Sequence, residues 1–209
     1  MCIVMKLYCC QTDLIAQGLG IEYIILEASD PDKAAFTWAM HRHGGKIKHW
    51  YNDLRSHPDC ECYVCGESFE NCTRPSSRRD PIADFRISGM NCKPVSIQRG
   101  AARWREGGVE NHNESYIYSA QVEEMHRRVT KIVILEEVEG FDRPMSSSSQ
   151  NTPLQKLLED VQERGIYHMG VFKLDSCAFW EASRVRIFVS IELPLPYNHM
   201  FFRIDTHDT

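Results

Sequence analysis

A chain of 209 residues, 43% hydrophobic and 25% charged, has the composition of an ordinary globular protein and can bury a core without covalent cross-links, which excludes disordered and fibrous proteins. No stretch approaches the roughly 18 apolar residues that cross a bilayer, so we expect no membrane span. The amino-terminal residues lack the basic region and cleavage site of a signal peptide, which favours an intracellular protein, cytoplasmic or nuclear.

The formal net charge of -5 conceals a basic segment. Residues 41–105 contain 12 Lys and Arg against 7 Asp and Glu, whereas the rest of the chain contains 12 against 22. Such an asymmetry is typical of a protein with an anionic partner, although a modest excess of one charge is as common on a solvated surface.

Two strands and a helix are predicted in the first 45 residues. The apolar runs "CIVMKLYCC" and "IEYIILEA" are typical of strands. In "DPDKAAFTWAMHRHGG", Asp30 is the expected N-cap, Pro31 occupies the first helical position and two glycines end the helix. Over residues 46–108 the periodicity fails, and Gly, Pro, Ser, Arg and Cys dominate. We expect a loop-rich segment there.

Helices and strands alternate in the second half of the chain. Residues 114–129 predict a helix with Tyr118, Val122 and Met125 on one face. The run "KIVILEEV" predicts a strand, and "MSSSSQNT" an exposed loop. The runs "IYHMGVFKLD" and "VRIFVSIEL" predict two further strands, and "HMFFRID" is a candidate for a last one.

The segment "TPLQKLLEDVQERG" carries several helix signals together. Thr152 is an N-cap residue, Pro153 suits the first helical position, and Gln155 can close a capping box. Leu154, Leu157, Leu158 and Val161 form one apolar stripe, and Gly165 ends the helix.

These elements predict a mixed fold of the α+β or α/β class, with a central sheet and flanking helices. We divide the chain into an amino-terminal β-β-α portion of the main domain (1–45), a basic, cysteine-rich insert or subdomain (46–108) and a carboxyl-terminal α-β-α-β portion (109–209). We expect the first and last portions to share one sheet. A bound metal would explain how the loop-rich insert is held together.

Four of the nine cysteines lie within "HPDCECYVCGESFENC", residues 57–72. Here Cys62 and Cys65 precede Gly66 in the form of a zinc knuckle, in which two thiolates reach one metal from a tight turn. A tetrahedral site needs two more ligands. The candidates are Cys72 and Cys92 first, with Cys60, His57 or His49 as substitutes. If zinc binds, we expect it to be structural and to fold the surrounding segment.

Two other interpretations of these cysteines stay open. They are free thiols that pack as small hydrophobic side chains, or a redox-active or disulfide-bonded pair. The remaining cysteines, Cys2, Cys9, Cys10 and Cys177, lie in or beside apolar runs, and we expect them to be buried.

Arginines surround the cysteine cluster in the chain. Guanidinium groups beside an aromatic ring suit the phosphates and bases of single-stranded nucleic acid, and they suit an acidic protein equally well. The candidate partner-binding residues are Arg78, Arg79, Arg99, Arg103, Trp104 and Arg105.

The sequence lacks a P-loop, a dinucleotide-binding glycine-rich turn, a nucleophile elbow and the common zinc-hydrolase motifs. The leading hypothesis is therefore a zinc-stabilised binding or regulatory protein that contacts nucleic acid or an acidic protein. The alternative is a metal-dependent hydrolase of phosphodiesters, with its metal near Glu136 or Glu139 and near His41, His43 or His57. A metal-free interaction protein is a third interpretation.

Overall fold

The computed structural model describes residues 2–6, 20, 22–52, 61–67, 84–89, 93–96, 112, 115–128, 130–145, 150–163, 165–175, 177 and 185–194. These residues form the strands β1 (Cys2–Lys6), β2 (Ile24–Ser29), β3 (Ile47–Tyr51), β4 (Phe85–Gly89), β5 (Ile132–Val138), β6 (His168–Asp175) and β7 (Val185–Glu192). The helices are α1 (Lys33–His43), α2 (Tyr116–Arg128) and α3 (Pro153–Gln162), with short 3-10 turns at Gly44–Lys46 and Glu139–Asp142. None of the described helices is long and apolar enough to cross a membrane.

All seven strands belong to one sheet, in the order β3-β2-β1-β4-β5-β7-β6. Strands β1 to β5 are mutually parallel, and β7 runs antiparallel to both of its neighbours, β5 and β6. The ends of β1 to β5 therefore meet at one edge of the sheet, where β7 begins. We call this the carboxyl edge. The mixed α/β fold that the sequence predicts is confirmed, and strands from the first and last portions do share one sheet.

Helices cover both faces of the sheet. On one face α1 packs against β2 and β3, where the Phe36 and Trp50 rings meet edge to face with their centroids 5.4 Å apart. Trp50 and Ile134 lie in the same row of paired residues across the sheet, so their side chains point to the same face. Leu135 follows Ile134, so its side chain points to the opposite face, where α2 and α3 pack. The core there includes Val122, Met125, Leu154, Leu157, Val161, Val133, Leu135, Val189 and Ile191.

A bulge interrupts the pairing of β1 with β2. Ile3 pairs with Ile25, but the next residue, Val4, pairs with Glu27, so Leu26 is the extra residue. Successive side chains of a strand point to opposite faces of the sheet. The bulge therefore decides which face of the sheet the last residues of β2 share with β1.

The predicted ends of α3 are confirmed. Thr152 Oγ1 accepts a hydrogen bond from the Gln155 amide at 3.1 Å, and Gln155 Oε1 accepts one from the Thr152 amide at 2.9 Å, which completes the capping box. Gly165 follows the helix with φ +66°, a backbone conformation that glycine adopts without steric cost.

The predicted N-cap of α1 was wrong by two residues. Asp32 caps this helix, since its side chain accepts a hydrogen bond from the Ala34 amide at 2.8 Å. Asp30 instead accepts a hydrogen bond from the Asp32 amide at 2.7 Å, which orders the turn before the helix.

Strands β3 and β4 lie within residues 46–108, where the sequence predicted loops. In β4 the buried side chains are Arg86 and Ser88, so polar residues occupy the positions where a strand pattern requires apolar ones. The segment thus contributes two strands to the sheet. Its description as a separate cysteine-rich insert, and the division into the three portions given above, stay predictions, and "HMFFRID" lies outside the described residues.

Candidate functional site

The topology of the sheet identifies where a ligand fits. From β1 the chain passes to β2 on one side, whereas from β4 it passes to β5 on the other, so β1 and β4 are the neighbours at which the strand order reverses. In open parallel sheets, ligands bind in the crevice outside the carboxyl ends of the strands at this switch point. Lys6 pairs with Ser88 there, and Gly89 is the last residue of β4.

A buried carboxylate lies near the end of β2. Glu27 is 6% exposed, and it pairs in register with His49 on β3. The Asp30 amide donates a hydrogen bond to the Tyr51 carbonyl at 3.0 Å, which ties together the ends of these two strands. In nucleotide-binding α/β sheets, an acidic residue after the second strand accepts hydrogen bonds from ribose hydroxyls. Glu27 is a buried carboxylate two residues before the end of β2, close to the corresponding place in this sheet.

Polar side chains are also buried between β4 and α2. The Gln121 amide group donates a hydrogen bond to Ser88 Oγ, and both side chains are buried. Tyr167 O–H donates to the Met125 carbonyl at 3.2 Å. Burial raises the pKa of Tyr167, and the charge of Arg86 opposes this shift. These contacts fix α2 on the strand that ends at the switch point.

Glu136, on β5, and Glu139, in the turn that follows it, are paired with cations. Arg186 Nε donates to Glu136 Oε1 at 3.0 Å, at the point where β7 begins and β5 ends. Glu139 accepts from Arg143 at 3.1 Å and lies 3.9 Å from Lys173 Nζ. The structure thus pairs both carboxylates with basic side chains rather than with the histidines predicted for a hydrolase.

Two of those histidines lie on α1. His41 is exposed near the end of the helix, and the buried His43 Nδ1 lies 3.4 Å from Tyr23 Oη in a hydrogen bond. His57, the third candidate, lies outside the described residues. The described candidates therefore form no shared His and carboxylate metal site.

A different group of ligand atoms does come together at the sheet edge. His49 Nδ1 lies 3.9 Å from Cys62 Sγ and 3.9 Å from Cys65 Sγ, and all three atoms lie within 4.8 Å of one another. Burial raises the pKa of Cys62, but hydrogen bonds from His49 and from the amides of Cys65, Trp50 and Val64 outweigh it and lower the pKa from 9.0 to about 6.

Most of the other predicted site residues lie outside the described part of the chain, and their roles stay predictions. They are the metal candidates His57, Cys60, Cys72 and Cys92 and the partner-binding candidates Arg78, Arg79, Arg99, Arg103, Trp104 and Arg105. Cys9 and Cys10 are also outside it, as is the side chain of Cys2. The prediction that Cys177 is buried was wrong, because its thiol is exposed.

Comparisons with known proteins give matches only among solved structures. No protein-family model matches the chain, and no curated protein matches its sequence. The Dnmt2 methyltransferase of S. pombe superimposes on 94% of this chain with a TM-score of 0.57 at 15% sequence identity. A DNMT2 mutant of Spodoptera frugiperda covers 98% with a TM-score of 0.60 at 15% identity. A putative DNA modification methyltransferase from an E. coli prophage covers 92% with a TM-score of 0.59 at 14% identity.

This chain spans only about half the length of those structures, 51%, 54% and 47% respectively. At such low identity the likeness concerns the fold, which is one that methyltransferases use. The leading hypothesis of a zinc-stabilised binding or regulatory protein was wrong, and so was the alternative of a phosphodiester hydrolase, because the similar solved structures described above are methyltransferases.

Sequence reasoning missed Glu27 as a site residue. Its signal was present, since an acidic residue ends the second predicted strand roughly 20 residues after the first, as in nucleotide-binding sheets. Without a glycine-rich turn after β1, that spacing has little weight by itself. Arg186 was missed because its partner, Glu136, is 50 residues away in the chain.

Proposed function

We propose that this chain forms the methyl-transfer fold of an S-adenosylmethionine-dependent methyltransferase that acts on nucleic acid. The observation that carries the proposal is the strand order β3-β2-β1-β4-β5-β7-β6 with β7 reversed, in a fold that superimposes on methyltransferases over 92% to 98% of the chain. Because the chain spans about half of those proteins, the complete activity and its substrate are part of the proposal.

The residues at the carboxyl edge suit the proposed cofactor. Glu27 would hold the ribose hydroxyls, because a buried carboxylate at the end of β2 is a strong acceptor with few competing waters. S-adenosylmethionine, when bound, supplies a methyl group on a positively charged sulfur. The carboxylate of Glu27, near the end of β2, would favour that positive charge.

Nucleic acid is the proposed methyl acceptor for two reasons. One of the similar structures is described as a putative DNA modification methyltransferase. In addition, residues 41–105 of this chain carry an excess of Lys and Arg, which would pair with phosphates. An acidic protein partner has no comparable support.

The first test is binding of S-adenosylhomocysteine, the demethylated product, measured by isothermal titration calorimetry. We expect wild type to bind and Glu27→Gln to bind roughly 10- to 100-fold more weakly, as for the loss of a charged hydrogen bond. Glu123→Gln is the matched control, because it makes the same change at an exposed glutamate of α2. Thermal melts of both variants would show whether a weaker signal reflects a lost fold instead.

Absence of binding by folded wild-type protein would overturn the proposed cofactor. Equal binding by Glu27→Gln and wild type would remove Glu27 from the site. Transfer of tritiated methyl groups from S-adenosylmethionine to DNA or RNA oligonucleotides at several salt concentrations would then test the acceptor, since phosphate contacts weaken steeply with salt.

Two different roles can be proposed for Cys92, a zinc ligand and a nucleophile in methyl transfer. It was predicted to bind zinc, yet it stands three residues after Gly89, the end of β4 at the switch point. Cysteine is the side-chain nucleophile that needs least activation. We expect Cys92→Ser to lower methyl transfer and to leave the metal content of the protein unchanged. A loss of metal in this variant would instead support its role as a zinc ligand.

A further inference from the structure

The turn at residues 61–67 is fastened to β3, the edge strand of the sheet. The Tyr63 amide donates to the Trp50 carbonyl at 2.9 Å, and the Trp50 amide donates to Cys62 Sγ at 3.4 Å. The turn itself is closed by the Gly66 amide, which donates to the Cys62 carbonyl at 2.8 Å. Backbone contacts thus hold Cys62 against the strand that carries His49.

We propose that His49 Nδ1, Cys62 Sγ and Cys65 Sγ bind a zinc ion at this edge of the sheet. Their mutual distances, within 4.8 Å and 3.9 Å from the nitrogen to each sulfur, are close to the roughly 3.5 to 4 Å between ligand atoms of a tetrahedral zinc with Zn–S near 2.3 Å and Zn–N near 2.0 Å. Among the side chains that the structure describes, no other group of three His, Cys, Asp or Glu comes so close together.

The local backbone also has the form of a metal-binding turn. The two thiols are separated by two residues, and Gly66 follows with φ +72°, so the chain bends sharply after the second thiol. The Trp50 amide points at Cys62 Sγ, and an amide donor to sulfur stabilises the thiolate form that binds metal. Two free thiols packed as hydrophobic groups would need neither the amide nor the imidazole.

The type of ligand selects the metal. Two thiolates and an imidazole favour zinc over magnesium or calcium, which bind oxygen. The site also lies beside Glu27, because His49 pairs in register with it. The zinc proposal rests on His49, Cys62 and Cys65 alone, so it holds whether or not this chain is a methyltransferase.

The test measures zinc by mass spectrometry in protein purified without chelator, and cobalt binding by absorption spectroscopy. We expect about one zinc per chain in wild type, and a thiolate-to-cobalt charge-transfer band after exchange. Cys65→Ser and His49→Gln should each lose most of the metal and the band. Cys65 is the more informative change, because its side chain is exposed and its replacement disturbs no buried packing.

Cys177→Ser is the matched control, since it removes an exposed thiol from another part of the chain. It should keep the metal of wild type. Folded wild-type protein that takes up neither zinc nor cobalt would overturn the proposal, as would an unchanged cobalt spectrum in Cys65→Ser. Circular dichroism of each variant distinguishes a lost ligand from a lost fold.

Discussion

The two halves of the sheet are stabilised differently. In the half that contains β4, β5, β7 and β6, fifteen described residues form one buried apolar core with α2 and α3. In the half that contains β1, β2 and β3, the corresponding core has six described residues, supported by the ring contacts of Phe36 with Trp50 and Tyr63. At the outer edge of this half lies the turn with two thiols and an imidazole. A metal bound there would cross-link this turn to β3.

The largest expected effect is in the half of the sheet that α2 and α3 cover. Leu157→Ala, on the buried face of α3, should lower the free energy of unfolding by about 2 to 5 kcal/mol through lost burial and the cavity left behind. Urea denaturation measures this loss, which should be the same with and without a chelator. Glu159→Ala, on the exposed face of the same helix, is the control and should change stability by less than about 0.5 kcal/mol.

Removal of metal should affect the other half. Zinc that binds only the native state adds about 2.7 kcal/mol when its free concentration is one hundred times Kd, so a chelator should speed amide exchange in β2 and β3 roughly 100-fold. Exchange in β5 and β7 should not change. Cys65→Ser should exchange rapidly in both conditions. Equal acceleration in all four strands would show that the two halves unfold as one unit.

The smallest expected effect on stability concerns the N-cap of α3. Thr152→Ala removes the hydroxyl that accepts a hydrogen bond from the Gln155 amide in the capping box of α3. This change should lower the free energy of unfolding by about 1 kcal/mol. Thr152→Ser keeps the hydroxyl and should cost less. A loss as large as that of Leu157→Ala would mean that the cap, and not the apolar stripe, decides the stability of α3.

The same contrast explains how much of the fold the sequence predicts. In α3 and β5, apolar residues recur at the spacing of a helix or a strand because a core faces them. In β4 the buried positions hold Arg86 and Ser88, and Ser88 accepts a hydrogen bond from Gln121, 33 residues away in the chain. A single-sequence pattern cannot show that a buried polar residue has such a partner, so this strand was missed.

The candidate site was predictable in part for a related reason. The spacing of Cys62 and Cys65 is local, so the sequence alone is enough to indicate metal chemistry there. His49 was only a substitute ligand, because it reaches these thiols through the end of β3, a strand that was not predicted. The position of Glu27 at the carboxyl edge likewise depends on strand order, which residue spacing does not encode.

The bulge at Leu26 lets two residues that are three positions apart in β2 share one face of the sheet. Ile25 pairs with Ile3 and Ala28 with Met5, so Ile25 and Ala28 both belong to the core beneath α1, whereas Glu27 and Ser29 face the opposite side. If Leu26 were deleted, the remaining residues would alternate as in a regular strand, and Glu27 would keep its side of the sheet. Deletion of a paired residue such as Ala28 would instead move the residues that follow it to the other face. Loss of Leu26 should therefore be better accepted than loss of its paired neighbours.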